Sequence, residues 1–579
     1  MNAIKTKITL QAEPRPTVEI QLPDGRIYSG PRGASLQEFL QALPEWDNPP
    51  IMGAVVNFEL RELTFPIDTD ARVKPVTMED ADGARIYRRS ITFLLEAAFE
   101  ELFPAGRLTV DHSISSGGFY CEVSGRSPLT RDEVKLLEKR MGEYVNANLP
   151  MTRHQVPLDE AIQYFRSKGY DDKVRLLKYR QKEFLILYRL RDHQDYHHGY
   201  MLPATGSLKW FKLEMMGRDG FVIQYPRRHA PSSLLRVSTN DKLLATFKRY
   251  GSWLERLGID NVGALNDAIL AGRTKEVILI SEALHDLQAA EIAQKVVKQS
   301  ADTRIILIAG PSSSGKTTFS KRLSVQLLAK GLSPMAIELD DYFIDREHTP
   351  KDENGEYDFE SLRALNIEKL NDDLKRLING EEVQLPRYNF KTGLSETGDR
   401  YRLEKDQMLI LEGIHGLNPG LLPEIPAGRT FRIYISCLTQ LNLDRYNRIS
   451  TTDSRLIRRI VRDARERGYT AQQTIARWES VRRGEKQHIF PYQENADEMF
   501  NSALVYELSV LKPLVEPLLR QVQYYMCEYV EAKRLLAFLE WFQPIEPDLI
   551  PDNSLLREFV GNSILKDFKV WSSRPRIER

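Results

Sequence analysis

Arg304-Ile305-Ile306-Leu307-Ile308-Ala309-Gly310-Pro311-Ser312-Ser313-Ser314-Gly315-Lys316-Thr317-Thr318 is the stretch on which the reading of this chain turns. Its first six residues are a short run rich in β-branched side chains, suited to a strand buried on both faces of a parallel sheet. The next nine satisfy GxxxxGK[ST], the phosphate-binding loop pattern. Phe319, Leu323, Leu327 and Leu328 then recur on one helical face until Gly331 offers a stop. The motif therefore sits in the strand–loop–helix context it requires. Glycines let the backbone approach oxygen atoms with no Cβ in the way. The amides then converge on phosphate, helped by the helix N-terminus behind them. Lys316 supplies a mobile positive charge and Thr317 a hydroxyl for Mg2+. Gly310, Pro311, Ser312, Ser313, Ser314, Gly315, Lys316, Thr317 and Thr318 are thus the candidate ATP-binding residues, with ATP and Mg2+ as expected cofactors.

Working outward, Met335–Leu339 predicts a second strand, with Asp340-Asp341-Tyr342-Phe343 at its C-terminal end. Strand ends of an open α/β sheet face the ligand crevice. A carboxylate there can take the proton of an attacking hydroxyl or hold Mg2+; a helix cap or turn aspartate fits the same place. Adjacent on a strand end, Asp340 and Asp341 should point to opposite sides. A further run, Met408–Leu411, ends in Glu412-Gly413, which pairs Glu412 with Thr317 as the expected Mg2+ residues. Six arginines follow on one predicted helix closed by Gly468: Arg455, Arg458, Arg459, Arg462, Arg465 and Arg467. Arg455, Arg459 and Arg462 share a face. That face can close over transferring phosphoryl oxygens, or stand solvated beside Asp463 and Glu466. No NKxD-type guanine reader occurs, which argues against a GTPase.

Together these motifs resemble the uridine kinase/phosphoribulokinase family over residues of about 303–510. Its DSFY corresponds to Asp340-Asp341-Tyr342-Phe343, its FEG to Leu411-Glu412-Gly413, and its RRxxRDxxxRG to Arg458–Gly468. Its IPxYDF, which lines the nucleoside pocket, corresponds to Leu385-Pro386-Arg387-Tyr388-Asn389-Phe390. The resemblance implies an α/β P-loop kinase domain with a mainly parallel sheet, transferring phosphate from ATP to a hydroxyl of a nucleoside-like small molecule. It makes Asp340 the base on the acceptor, with Lys316, Arg462 and Arg467 acting on the ATP phosphates. Glu360, Tyr388, Phe390 and Arg459 become acceptor-side residues alongside Asp340. The chain departs from the pattern on that side. The acid that holds the ribose hydroxyls aligns with Glu360, and a pyrimidine-reading histidine with Gly393. A lid arginine aligns with Tyr469 and a nearby glutamine with Arg477. The ATP half is kept and the acceptor half altered, so uridine itself is not implied.

Toward the front, Thr17–Leu22 alternates apolar and polar residues, Pro23-Asp24-Gly25-Arg26 reads as a turn, and Ile27-Tyr28 as the return strand. Ser35 can cap a helix carrying Leu36, Phe39 and Leu40. Residues 17–75 resemble a TGS domain, the ubiquitin-like α+β module of threonyl-tRNA synthetases. Asp111-His112-Ser113-Ile114, Gly118-Phe119-Tyr120, and Ala161–Phe165 with Gly169 and Lys173 resemble segments of the editing domain of those enzymes. Its HxxxH and CxxxH pairs align with Arg89 and Phe93, and with His197 and Met201. Of these only His197 readily ligates a metal, and zinc wants four ligands; no zinc and no editing chemistry are expected, although His193 and His198 lie near His197.

The expected domains are a TGS-like 1–80, an editing-like 81–230, a helical connector 231–300 with Leu254, Leu257, Leu265 and Ile269 at helical spacing, a kinase domain 301–545, and a tail 546–579. At 579 residues the chain has room for three or four domains, and 42% apolar content is ordinary for a globular protein. Lys plus Arg and Asp plus Glu both number 81, which gives no bulk argument for nucleic acid or membrane. A synthetase-like region still leaves RNA open as a partner, and with it a rival reading as an RNA- or ribosome-associated nucleotide switch. Cys121, Cys437 and Cys527 are far apart and form no CxxC, which fits a reducing compartment. With neither a leader pattern nor a long apolar run, a cytoplasmic location is expected.

Overall fold

A computed structural model describes residues 13, 15–114, 116–217, 219–236, 240–351, 355, 357–404, 407–439, 441–568 and 570. The chain forms two units. The first runs through Ala161, resumes at Lys182 into the 230s, and includes Tyr524–Val530; the second holds Ile162–Gln181 and the remainder.

In the first unit, Thr17–Gln21 pairs antiparallel with Ile27–Pro31 and parallel with Ala71–Thr77. Ile51–Val56 and Glu59–Arg61 complete a five-stranded sheet. Leu36, Phe39 and Leu40 are buried by the helix Leu36–Gln41. Ser35 caps that helix through a reciprocal bond with Glu38, a capping box that satisfies two end amides. Beyond it, the long helix Ala81–Leu102 buries Tyr87, Ile91, Phe93, Leu94 and Leu95. A four-stranded sheet follows in the order Lys212–Met216, Gly220–Gln224, Gly118–Ser124, Arg107–Ile114, and a three-stranded one in the order His193–Asp195, Phe184–Leu190, Thr152–Pro157.

The second unit is built on a five-stranded parallel sheet. Its order is Ser333–Glu338, Gln407–Glu412, Ile305–Ala309, Thr430–Ser436, Glu498–Asn501. Ile305–Ala309 is buried at every residue, as its composition predicts, and lies centrally. All carboxyl ends therefore point one way, toward the loop at Gly310. The expected connector is helical: Asp241–Leu257, Val262–Leu270 and Thr274–Lys298. Among the described residues, no helix is long and apolar enough to cross a membrane.

Two expected boundaries differ from what is seen. Gly169 and Lys173, grouped by sequence with 81–230, lie in the second unit. There Lys173 is fully buried against Asp444 at 3.2 Å, and Arg445 forks onto Asp172. A buried ammonium needs such a partner, and the partner lies too far along the chain to be read. The expected tail 546–579 lies partly outside the described residues, and its described part, 546–568 and 570, is not separate either. Leu555, Leu556 and Phe559 are each 0% exposed, so this stretch is core of the second unit.

Candidate functional site

The loop turns tightly because two glycines permit it. A Cβ on Gly310 would lie 2.0 Å from the Ile435 carbonyl oxygen, and Gly315 has φ +85° with Leu555 against it. The helix Lys316–Ala329 starts directly behind. Lys316 Nζ reaches the Pro311 carbonyl at 3.4 Å, and Thr317 Oγ1 donates to Glu412 Oε2 at 3.0 Å. The two residues expected to hold Mg2+ are thus brought together: a hydroxyl and a carboxylate, the hard oxygen donors that ion takes. Burial pushes the Glu412 carboxyl up to about 7, against the pull of Lys316 and with Glu338, Asp340 and Glu558 adding to it.

Asp340 and Asp341 lie on a 3-10 turn, Leu339–Tyr342, rather than on the strand end itself. Alternation along a strand therefore does not separate them, but the turn does. The Asp340 carboxylate keeps solvent access while protein crowds it. That desolvation raises its pKa, against Lys316 and Arg467 and with Asp341 adding to it. Asp341 instead accepts the Tyr388 backbone N–H at 3.3 Å. Glu360 is pushed up to about 7 by burial and by Glu485, against Arg459. Tyr388 and Phe390 lie on a hairpin, Glu382–Asn389 with Leu394–Arg402 and its turn. Their rings meet edge to face at 5.0 Å, and Phe343 stands 5.4 Å from Tyr388. Phe390 is 60% exposed, whereas Tyr388 is buried and its hydroxyl has no hydrogen-bond partner among the described residues.

The arginine helix divides differently from its sequence reading. It runs Thr451–Arg462, followed by a wide π turn, Asp463–Arg467, and by Gly468 at φ +68°. Arg455 does not share an open face with Arg459 and Arg462; it is 1% exposed. It donates to the Ser312 carbonyl at 3.0 Å and to Glu485 at 2.8 Å. Arg458, also buried, pairs with Glu507 and reaches the Ser313 carbonyl at 3.4 Å. Glu485 in turn accepts the Ser312 amide at 3.1 Å, and Arg455 and Arg482 hold its carboxyl below the usual range despite its burial. Arg459, Arg462 and Arg467 all converge on Asp463, at 3.2, 3.4 and 3.4 Å, and Arg459 donates to Ser312 Oγ at 2.9 Å. Glu485, Glu507 and Glu558 escaped the sequence reading. The last accepts both the amide and the hydroxyl of Thr318, at 3.3 and 2.9 Å. No local pattern marks any of the three.

In the first unit, the four aligned editing positions do converge. Phe93 faces His197 with ring centroids 6.0 Å apart, and Arg89 Nε donates to the Tyr200 carbonyl at 2.9 Å, one residue before Met201. Beside them is a group the alignment could not show: ligand atoms of Glu96, His193 and Asp195, all buried, lie within 4.8 Å of one another. Glu96 lies between His193 at 3.4 Å and His197 at 3.1 Å, and His193 Nδ1 meets Glu100. Burial opposes protonation of His193, but Glu100 and Glu96 outweigh it and raise its pKa to about 9. His193 thus has a carboxylate at each ring nitrogen, Glu100 at Nδ1 and Glu96 at Nε2. Elemental analysis of the full chain is expected to find no stoichiometric zinc; one zinc per chain, lost in His193→Ala, would replace the ion pair with a metal centre.

Residues 305–508 match the model of the Phosphoribulokinase / Uridine kinase family. The chain is 35% identical over 195 residues to the threonine–tRNA ligase of Laribacter hongkongensis, covering 34% of this chain and 31% of that protein. For the same enzyme of Polaromonas naphthalenivorans the values are 35% over 199 residues, 34% and 31%. The chain thus spans about a third of the length of these curated relatives. Among solved structures, a possible uridine kinase from Bacillus stearothermophilus is similar at a TM-score of 0.25 and 20% identity, over 36% of this chain and 97% of that one.

Proposed function

With residues 305–508 matching the phosphoribulokinase/uridine kinase family, we propose that this P-loop kinase transfers the γ-phosphoryl of ATP to a hydroxyl of a nucleoside or related small molecule. One observation carries the reading: Asp340, a carboxylate of raised pKa, sits where it feels the charges of Lys316 and Arg467. A loop that only switches on ATP hydrolysis needs a positioned water and neither such an acid nor an aromatic face. Phe390, 60% exposed and backed by the buried rings of Tyr388 and Phe343, supplies that face, and a flat ring or sugar stacks well on it.

Each residue then has a task. Lys316 and the loop amides hold phosphate oxygens. Thr317 and Glu412 would hold Mg2+, which when bound offsets charge on the phosphates. Arg462 at the helix end and Arg467 on the π turn approach the transferring group. Asp340 takes the acceptor proton, while Glu360 and Arg459 fix the acceptor. Incubation with Mg-ATP and a panel of nucleosides and sugar phosphates is expected to yield ADP and a phosphorylated acceptor together. ADP without any phosphorylated acceptor, alongside tight RNA binding, would favour the RNA- or ribosome-associated switch instead.

Pyrimidines are not expected to be privileged. Gly393 stands where a pyrimidine-reading histidine would, at φ +77°, and a Cβ there would lie 2.8 Å from the Arg346 guanidinium carbon. Arg346 is held over that turn by its bond to the Phe390 carbonyl at 2.6 Å. Two further altered positions have paired with each other, Arg477 lying 4.8 Å over the Tyr469 ring. In the same panel, uridine and cytidine should show no lead in kcat/KM over purine nucleosides; a clear lead would contradict this account of Gly393.

A further inference from the structure

The segment Ser554–Gly561 lies beyond the residues matched by the kinase family, yet it reaches the phosphate loop. Its anchors are firm: Leu555, Leu556 and Phe559 are fully buried, and Leu555 packs so closely on Gly315 that a Cβ there would lie 2.4 Å away. Just after it, the Leu565 and Lys566 carbonyls accept Lys321 Nζ at 2.8 and 2.6 Å. From this anchored turn Glu558 projects onto the first turn of the loop helix. Its Oε2 accepts Thr318 N–H at 3.3 Å and Thr318 Oγ1 at 2.9 Å. Its Oε1 stands 3.9 Å from Arg462. Arg465 donates to the Glu558 and Phe559 carbonyls at 2.9 and 2.8 Å. Next to the carboxylate, the Phe559 ring lies 5.0 Å below the Arg458 guanidinium.

These contacts have one common chemistry. Amides and hydroxyls at a helix start, with an arginine opposite, bind anions. A Gly-rich loop offers such donors to nucleotide phosphates. Here a carboxylate of the chain itself takes them, and a flat ring under an arginine stands beside it. We propose that Glu558 is a resident anion of the phosphate loop, which an incoming nucleotide phosphate must displace from Thr318 before ATP is fully seated. This rests on the reading of the loop as a nucleotide site and adds a self-limiting element to it. A carboxylate and a phosphate cannot share one amide, because like charges in such close contact repel. The anchors at Leu555 and Phe559 confine the change to the Glu558 side chain and leave the segment in place.

The test is nucleotide affinity, read by calorimetry on the full chain with Mg-ATP and with a non-hydrolysable analogue. Glu558→Gln keeps shape and loses charge, and should tighten binding by about tenfold, equivalent to about 1.4 kcal/mol. Glu558→Ala should tighten it as well, and Lys316→Ala in either background should abolish the gain. Thermal midpoints report whether each variant is folded. Unchanged or weaker binding by both folded Glu558 variants, with the wild type binding normally, would overturn this inference alone. No nucleotide bound by the wild type or by any Glu558 variant would instead sink the reading of the loop and this inference with it.

Discussion

Lys316→Ala is expected to lose phosphoryl transfer while the protein stays folded. The Lys316 side chain is only partly buried, and its ammonium reaches the Pro311 carbonyl at a long 3.4 Å. Little of the core depends on it, so circular dichroism and the thermal midpoint should hardly change. Its charge, by contrast, sits at the loop facing Asp340 and Glu412, and both carboxyls feel it. Removing one preorganised group of this kind costs about 10²–10³ in rate. ADP formation under saturating Mg-ATP measures the loss. Near-normal turnover in a folded variant would remove this loop from the chemistry altogether.

Asp340→Asn should have the second large effect. The substitution keeps size and removes the base, and general base catalysis contributes about 10²–10⁴. Nucleotide affinity should persist, because the loop donors are untouched. Asp341→Asn is the internal control. Its oxygen only has to accept the Tyr388 amide, and an asparagine carbonyl does that equally well. Turnover of Asp341→Asn should stay within a few-fold of wild type on the same physical ground. Equal losses from the two variants would take the base role away from Asp340.

What could be read from the sequence follows how far apart the interacting groups lie. Strand, loop and helix around Gly310–Thr318 are one local unit, and composition with periodicity specifies all three. The cap at Ser35 is equally local; its partner Glu38 lies three residues on. Asp340 was legible as an acid after a strand, but the turn that aims it was not, because a 3-10 turn carries no period of its own. The arginine helix was read by the spacing of its own residues, and spacing could not show which guanidiniums would be buried. Glu485 and Glu507 decide that, from helices 30 and 49 residues further along. Glu558 lies 240 residues from Thr318, and Glu96 lies 97 from His193. Contacts of this kind are set by the tertiary fold and leave no local pattern in the chain.

The two buried arginines also fix where this site can bend. Arg455 and Arg458 bolt the helix Thr451–Arg462 to the carbonyls of Ser312 and Ser313, and each is locked by its own buried carboxylate. Parting a buried ion pair costs about 3–5 kcal/mol, many times the thermal energy of about 0.6 kcal/mol. The helix is therefore a fixed beam rather than a swinging arm. Beyond it the π turn at Asp463–Arg467 ends in Gly468, and Arg465 ties that turn to the Glu558 and Phe559 carbonyls. Arg462 stands at the junction, and Arg467 at the far end of the turn, nearly half exposed at 49%. The two residues thus differ in their access to water: one is clamped at the end of the beam, and the other opens to solvent at the far side of a single turn.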